Sequence, residues 1–363
     1  MGPFASPLFT NNLAYAEDGQ ASQKVYVYDD DGNLLIEKSG VQNGDTFLTE
    51  DFSEWTIYFI EGNTAFARKQ QSLKKPLVKV KNSISSQANN KKICLYLTHN
   101  DESYRLSDGY DSIYGAGGVH DVAKQIKREL EKDDINVYLD ETLHIPHDSS
   151  AYVRSRVTAT SLQNKYNPSG LFDIHRDATA RSVYYSENEN SPLSKIRIVV
   201  GKGNANFEKN YAFAKEVFSV GQALYPWLFL DIYCGKGTYN QNLQDHALLF
   251  EMGTYLIEKD LVLNSTPYLA NVLNTVLFKS EDDDGDIAID EETIQELEED
   301  YQNRNNLTIN NENIDKNDEK SIKDEQKNTN VWIITIFSSL TVASISVAIF
   351  LVYKNKIKNS IKK

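Results

Sequence analysis

The sequence has few cysteines and no excess of positive charge. Its 363 residues include two cysteines, Cys94 and Cys234, which is too few for a disulfide framework or a zinc site of the CxxC type. Both lie in apolar, strand-like surroundings, which favours buried free thiols. The net charge of −14 argues against nucleic-acid binding, because such proteins need a basic surface to neutralise phosphates.

The negative charge is concentrated near the C-terminus. Residues 281–330 contain 18 Asp and Glu but only five Lys and Arg, and they are rich in asparagine. Such a composition cannot bury enough apolar surface to fold by itself. We therefore expect an acidic stalk there, disordered or partly helical.

One long apolar run follows this stalk. Residues 331–353 contain no charged side chain, and 23 residues are enough to cross a bilayer as a helix. The basic tail 354–363 predicts a cytoplasmic C-terminus, with residues 1–330 outside the cell. Residues 1–21 end in an Ala-x-Ala pattern and are interpreted as the remnant of an export signal or leader. A tail-anchored cytoplasmic protein is the alternative.

The rest of the chain is predicted to form two folded regions. Residues 22–68 alternate apolar and polar residues between Asp-Gly and Asn-Gly turns, which predicts a small β module. Residues 69–91 are predicted to be a linker. Residues 92–280 alternate strand-like and helical patterns, which predicts an α/β domain with a mixed, mostly parallel sheet flanked by helices.

Titratable side chains stand at or near the ends of three predicted strands in this domain. They are His99 with Glu102, His175 with Asp177, and His246 with Glu251. Sites in open α/β sheets form beyond the carboxyl ends of the strands. A hydrolytic zinc site needs three protein ligands and a further carboxylate to transfer protons. The spacing is compatible with such a site, but from spacing alone a satisfied polar role is the more common one for each histidine.

Four ordered motifs carry a resemblance to a known family. They are THNDESY at 98–104, GGVHDVAKQIKRELEKDDINV at 117–137, FDIHRDA at 172–178 and NQNLQDHALLFEMGT at 240–254. In these motifs, the stretch from residue 93 to about residue 280 resembles the catalytic domain of the stage II sporulation protein P family. The resemblance implies a zinc-dependent N-acetylmuramoyl-L-alanine amidase, a peptidoglycan hydrolase.

The resemblance also implies roles for particular residues. His99, Glu102 and His175 match Zn²⁺ ligands, and Glu251 matches the catalytic glutamate. The third ligand has an alternative in His120. His246 is expected to form a hydrogen bond with the cleaved amide or the oxyanion. Arg176 and Asp177 are expected to orient the side chains around the metal. Structural or rim positions are expected for His144 and His147.

The function expected from this resemblance is wall remodelling during sporulation and engulfment. The amide between N-acetylmuramic acid and L-alanine is the expected target, with cleavage inside peptide cross-links as an additional activity. The implied partners are peptidoglycan, a lytic transglycosylase and a membrane scaffold of the engulfment machinery. The alternatives are a non-catalytic wall-binding scaffold and another zinc peptidase.

Overall fold

The computed structural model describes residues 24–73, 91–148, 150–188 and 192–278. The strands of the N-terminal part are β1 (Lys24–Tyr28), β2 (Leu34–Ser39), β3 (Thr46–Leu48), β4 (Ser53–Glu61) and β5 (Thr64–Ser72). Those that follow are β6 (Lys92–Tyr96), β7 (Asn136–Asp140), β8 (Gly170–Asp177), β9 (Tyr185–Glu187), β10 (Pro192–Ser194), β11 (Ile196–Gly201), β12 (Phe229–Gly235) and β13 (Ala247–Thr254).

Four long helices connect these strands, together with short helical turns. The long ones are α2 (Val119–Glu131), α3 (Ala151–Tyr166), α5 (Phe207–Leu224) and α6 (Lys259–Phe278), and the short ones are α1 (Arg105–Asp108), α4 (Arg181–Tyr184) and a 3-10 turn at Gln241–Leu243. The amphipathic pattern of α2 explains its placement. Val122, Ile126 and Leu130 recur at helical spacing and are buried, so one side of the helix packs on the core.

A mixed sheet organises the described residues. Its 11 strands follow the order β2-β1-β5-β4-β3-β12-β11-β13-β8-β6-β7. From β13 to β7 all neighbours are parallel, whereas β11 runs antiparallel to β13 and parallel to β12. The carboxyl ends of β6, β7, β8 and β13 therefore meet at one edge of the sheet, which is the edge where α/β proteins bind ligands.

The two faces of the sheet are covered differently. The larger core contains Phe172 and Ile174 of β8, Phe250 of β13 and buried side chains of α2, α5 and α6. Because side chains alternate along a strand, the residues between them point to the opposite face. There α3 covers β6 and β8, and the N-terminal strands form a second apolar cluster that includes Tyr233 of β12.

The sequence pattern of residues 267–279 predicts a helix, but helix α6 begins earlier. It starts at Lys259 and passes through Pro267, a residue that usually ends or kinks a helix because it cannot donate to the carbonyl four residues earlier. That carbonyl belongs to Leu263, and it accepts a hydrogen bond from Thr266 Oγ1 at 2.8 Å instead. The threonine hydroxyl thus replaces the missing backbone donor.

The N-terminal strands belong to the same sheet as the α/β domain. Strand β3 pairs antiparallel with β12, with Ile232 opposite Leu48 and Cys234 opposite Thr46. Strand β5 extends to Ser72, past the predicted start of the linker at residue 69. The division into a β module and a catalytic domain stays a prediction, but the sheet itself is continuous across it.

The predicted fold class needs one correction. An α/β fold with a large mixed sheet is observed. However, within the ranges given above, no helix combines the length and the apolar character that crossing a bilayer requires. The longest of these helices, α6, carries Asn, Ser and Thr along its 20 residues. The predicted transmembrane helix at 331–353 lies outside the described residues, as do the leader 1–21, the stalk 281–330 and the tail 354–363. The described residues therefore do not support the predicted C-terminal transmembrane helix or the predicted single-pass membrane localisation.

Candidate functional site

Three side chains able to ligate a metal ion converge beyond the carboxyl end of β6. His99 and Glu102 lie in the loop that follows β6, and His147 lies in the loop between β7 and α3. One donor atom from each residue lies within 4.8 Å of the other two. The His99 and His147 rings stack with their centroids 3.8 Å apart. Two imidazoles and a carboxylate form the kind of ligand set found in hydrolytic zinc sites, which keep a fourth position open.

The state of His99 fits a metal ligand. Its Nε2 atom is buried and has no hydrogen-bond partner among the described residues, which is uncommon for a buried polar atom. Burial lowers the pKa of His99 to about 4, although its hydrogen bond to Glu102 acts in the opposite direction. The imidazole is therefore neutral at pH 7 and can donate a ring nitrogen lone pair to a cation.

Neighbouring carboxylates orient this loop and its ligands. The Thr98 amide and hydroxyl donate to Asp173 on β8, at 2.9 and 2.5 Å. His147 Nδ1 lies 2.9 Å from Asp101 Oδ1. A hydrogen bond from the remaining ring N–H to a carboxylate is the usual way to fix the orientation of a ligating histidine.

Glu102 is held by contacts from strand β8 and from the loop after β6. Its Oε2 accepts a hydrogen bond from the Arg176 amide at 3.0 Å and lies 3.5 Å from His175 Nδ1, while its Oε1 lies 3.3 Å from His99 Nδ1. Burial alone would raise the pKa of Glu102. The charge of His175 and the hydrogen bonds from both histidines outweigh burial and hold the pKa well below 4.5. This carboxylate is therefore ionised at neutral pH.

His175 lies beside the three-residue group but outside it. Its ring centroid is 5.0 Å from that of His99, and its Nε2 lies 3.0 Å from Asp173 Oδ1. Burial lowers the pKa of His175, but the charges of Asp173 and Glu102 outweigh it and raise the pKa well above 6.5. Thus carboxylates approach both ring nitrogens of His175, whereas Nε2 of His99 has no such contact.

Glu251 lies on the face of the sheet that also carries His175 and Arg197, which is called the polar face below. It is fully buried on β13, with its Cα opposite His175 of β8 and opposite Arg197 of β11. Residues opposite each other on paired strands point to the same face, so Glu251 lies between an imidazole and a guanidinium. Its Oε1 is 3.9 Å from Lys38 Nζ of β2.

Among the remaining predicted site residues, two lie away from the metal group. His120, at the start of α2, has its Nδ1 2.9 Å from Glu141 Oε1 and is not part of the group. The ring of His246 stacks on Phe213. His246 precedes β13 and stands five residues from Glu251, about 16 Å away along an extended strand. The structure therefore does not bring His246 to the site.

Arg176 and Asp177 lie next to the site in two different ways. Arg176 contributes its backbone amide to Glu102, and its guanidinium donates to the Asp111 carbonyl at 2.9 Å. Asp177 accepts hydrogen bonds from Arg197 Nη1 at 2.5 Å and from the Tyr184 hydroxyl at 2.8 Å. Both residues thus anchor elements around the site.

Sequence reasoning missed His147 as a candidate ligand. The residue was expected only at a rim, because its loop carries no strand-end motif. The pairing of β7 with β6 brings this loop alongside the one that contains His99. His144, from the same loop, holds the two loops together, since its Nδ1 lies 2.7 Å from the Leu97 carbonyl. The order of the strands in the sheet shows this adjacency, and local sequence patterns do not.

The family assignment follows from comparison with known proteins. Residues 40–274 match the family model described as stage II sporulation protein P. The chain belongs to the stage II sporulation protein P family. It is 28% identical over 181 residues to the stage II sporulation protein P of Bacillus subtilis strain 168, an alignment that covers 45% of each chain. The matched region thus spans about half the length of that relative.

A solved structure shows a weaker likeness. It is the crystal structure of an N-acetylmuramoyl-L-alanine amidase from Clostridium difficile 630, at 15% identity and a TM-score of 0.35. The alignment covers 55% of this chain and 100% of that chain. A similarity this low carries no conclusion about fold or function.

Proposed function

We propose that this protein is a zinc-dependent N-acetylmuramoyl-L-alanine amidase that hydrolyses peptidoglycan during sporulation. The observation that carries the proposal is the group of His99, Glu102 and His147, at the same sheet edge as the buried carboxylate of Glu251. Membership of the sporulation family supports the cell wall as the substrate. The scissile bond is the amide between the lactyl group of N-acetylmuramic acid and L-alanine.

His99, Glu102 and His147 would hold the zinc ion. In such sites zinc polarises a carbonyl and makes water more acidic. Asp101, paired with His147, and the Arg176 amide, which donates to Glu102, fix the orientation of these side chains. His175 is the alternative third ligand, and in the proposed arrangement it orients Glu102 by its contact at 3.5 Å.

Glu251 is proposed as the general base and acid. An ionised carboxylate accepts a proton from the attacking water and returns it to the leaving amine of L-alanine. The positive charges of Arg197, opposite in register, and Lys38, at 3.9 Å, favour this ionised form. Burial of the site excludes bulk water, which strengthens each of these interactions.

The activity is tested by digesting purified peptidoglycan and identifying the products by mass spectrometry. We expect free stem peptides that begin with L-alanine, loss of cleavage with a chelator and recovery with zinc. Glu251→Gln should retain the metal and lose cleavage, whereas Glu258→Gln, at a surface pair with Arg181, should retain both the metal and cleavage. A Glu251→Gln protein with normal activity would exclude the proposed base. Intact stems with cleaved cross-links would indicate a peptidase, and no product would favour a wall-binding scaffold.

The ligand set is tested by measuring bound zinc per chain in single alanine variants. His99→Ala and His147→Ala should lose the metal, and the matched control His246→Ala, away from the group, should retain it. If His175→Ala loses zinc while His147→Ala keeps it, the ligand set expected from the family resemblance is correct and the one proposed from geometry is not.

Partners are a separate part of the proposal. A lytic transglycosylase and a membrane scaffold of the engulfment machinery are expected from the family resemblance. Both stay predictions, and co-purification from sporulating cells with an affinity-tagged chain would test them. Recovery of neither protein under conditions that recover the tagged chain would argue against both.

A further inference from the structure

Strand β2 reaches the polar face of the sheet on which Glu251 stands. Ser39 Oγ donates to the Ala178 carbonyl at 2.9 Å, and Glu37 Oε1 accepts from the Ala180 amide at 2.7 Å. The guanidinium of Arg197 also donates to the Glu37 carbonyl, at 3.3 Å. Three contacts therefore fix β2 over the ends of β8 and β11.

Lys38 stands between the two residues that make these contacts. Its side chain is almost fully buried, and its Nζ lies 3.9 Å from both Glu251 Oε1 and Asp177 Oδ1. The ammonium also lies 5.1 Å from the centroid of the Tyr233 ring. A buried ammonium is costly unless carboxylates compensate its charge, and here two carboxylates are within ion-pair distance.

Asp177, one of the two carboxylates beside Lys38, is fixed by further contacts. Asp177 already accepts from Arg197 and from the Tyr184 hydroxyl. The guanidinium of Arg197 is shared further with both carboxylate oxygens of Asp231, at 2.7 and 2.9 Å. Lys38 thus extends a buried network of charges as far as Glu251. Asp177, which Arg197 and Tyr184 hold in place, therefore fixes one side of the Lys38 ammonium.

We propose that Lys38 is a positioning residue for Glu251, contributed to the site by the N-terminal β2 strand. The ammonium holds the Glu251 carboxylate in the orientation that proton transfer needs. Lys38 precedes the region that matches the family model, which begins at residue 40. The proposal depends on the proposed function, because Glu251 is the base in that reaction.

The kinetic test uses the full chain and soluble cross-linked muropeptides as substrate. Lys38→Met retains the length of the side chain and removes its charge. We expect kcat to fall about tenfold to a hundredfold, the scale of a misplaced catalytic group, with KM unchanged within about twofold. Lys38→Arg should recover part of kcat, because it restores a cation.

The matched control is Ser39→Ala, which removes a neighbouring contact of the same strand with Ala178 without changing charge. It should lower the melting temperature slightly and leave kcat unchanged. Wild-type kcat in Lys38→Met would overturn the proposal. An equal loss in Ser39→Ala would also overturn it, since the effect would then come from docking of the strand. Lys38→Gln replaces Lys38→Met in all arms if the latter does not fold.

A second readout separates this proposal from the proposed function. Melting temperatures are measured for Lys38→Met, Glu251→Gln and the double variant, a comparison that needs no activity. Because Lys38 and Glu251 form an ion pair, the melting temperature of the double variant should fall by less than the sum of the falls in the two single variants. An inactive wild type would reject the proposed function. The melting temperatures would then still show whether Lys38 and Glu251 are paired. Additive losses would reject the pairing.

Discussion

Removal of Arg197 should destabilise the protein more than most single substitutions. The side chain is fully buried and forms a two-point ion pair with Asp231, at 2.7 and 2.9 Å, and a further pair with Asp177 at 2.5 Å. Arg197→Met would retain much of the apolar stem and leave two buried carboxylates without their cation. Breaking a buried ion pair costs about 3–5 kcal/mol, and we expect a loss in this range.

The loss is measured by urea unfolding followed through tryptophan fluorescence. With a slope of about 2.5 kcal/mol per molar urea, the midpoint should fall by about 1–2 M. Arg68→Met is the matched control, since Arg68 pairs with Asp30 at 3.3 Å on the surface. Solvent screens that pair, and its removal should leave the midpoint unchanged.

The reasoning can be refuted in two ways. A loss below about 1 kcal/mol in Arg197→Met would show that water or rearrangement satisfies the two carboxylates. The second test adds Asp231→Asn to Arg197→Met, which replaces a carboxylate that has lost its partner with a neutral amide. Stability should then partly return. A further decrease would mean that the stranded charge is not the source of the loss.

Three further predictions concern Gly117 beside the metal group, the carboxylate of Asp108 and the two cysteines. Gly117→Ala should reduce zinc retention on dialysis, because a Cβ there would lie 2.1 Å from the Glu102 carbonyl; unchanged retention would contradict this. Burial acts to raise the pKa of Asp108, but hydrogen bonds, the largest from Lys259, lower it below 3.8. Ionised Asp108 therefore stabilises the folded state fully above its unfolded-state pKa of 3.8. This stabilisation is lost as the pH falls through the lower folded-state pKa. Asp108→Asn should destabilise towards urea at pH 7 and have a smaller effect at pH 3, and an equal effect at both would contradict this. Burial raises the pKa of Cys94 and Cys234 to about 12, so iodoacetamide should label both thiols only after unfolding, as mass spectrometry would show.

Local patterns predicted much of the α/β region. The sequence of residues 151–166 predicts a helix from its local pattern, and α3 has the same bounds. The strands that carry His175 and Glu251 were also expected, as apolar runs that end in charged residues. The start of α6 was missed because Pro267 indicates a helix start, and only the contact of Thr266 with Leu263 shows how the helix continues through it.

The candidate metal group depends on pairing between distant segments, which local patterns do not specify. Two of its members, His99 and Glu102, are three residues apart and were expected together. His147 joins them because β7 lies next to β6, and that adjacency is a property of the topology. His246 was expected near Glu251 because the two are close in sequence. An extended strand instead separates them, by about 3.3 Å for each residue.

The burial of polar and charged residues at the end of strand β2 could not be predicted from local sequence patterns either. In the sequence, Glu37, Lys38 and Ser39 resemble the polar, solvent-exposed end of a β strand. All three are buried, and burial of such groups is tolerated only where partners compensate their charge or polarity. The partners of Glu37 and Lys38 include Arg197 and Glu251, which lie more than 150 residues further along the chain. Since exposed and buried ion pairs use the same residue types, only the fold shows that this strand end lies against Glu251.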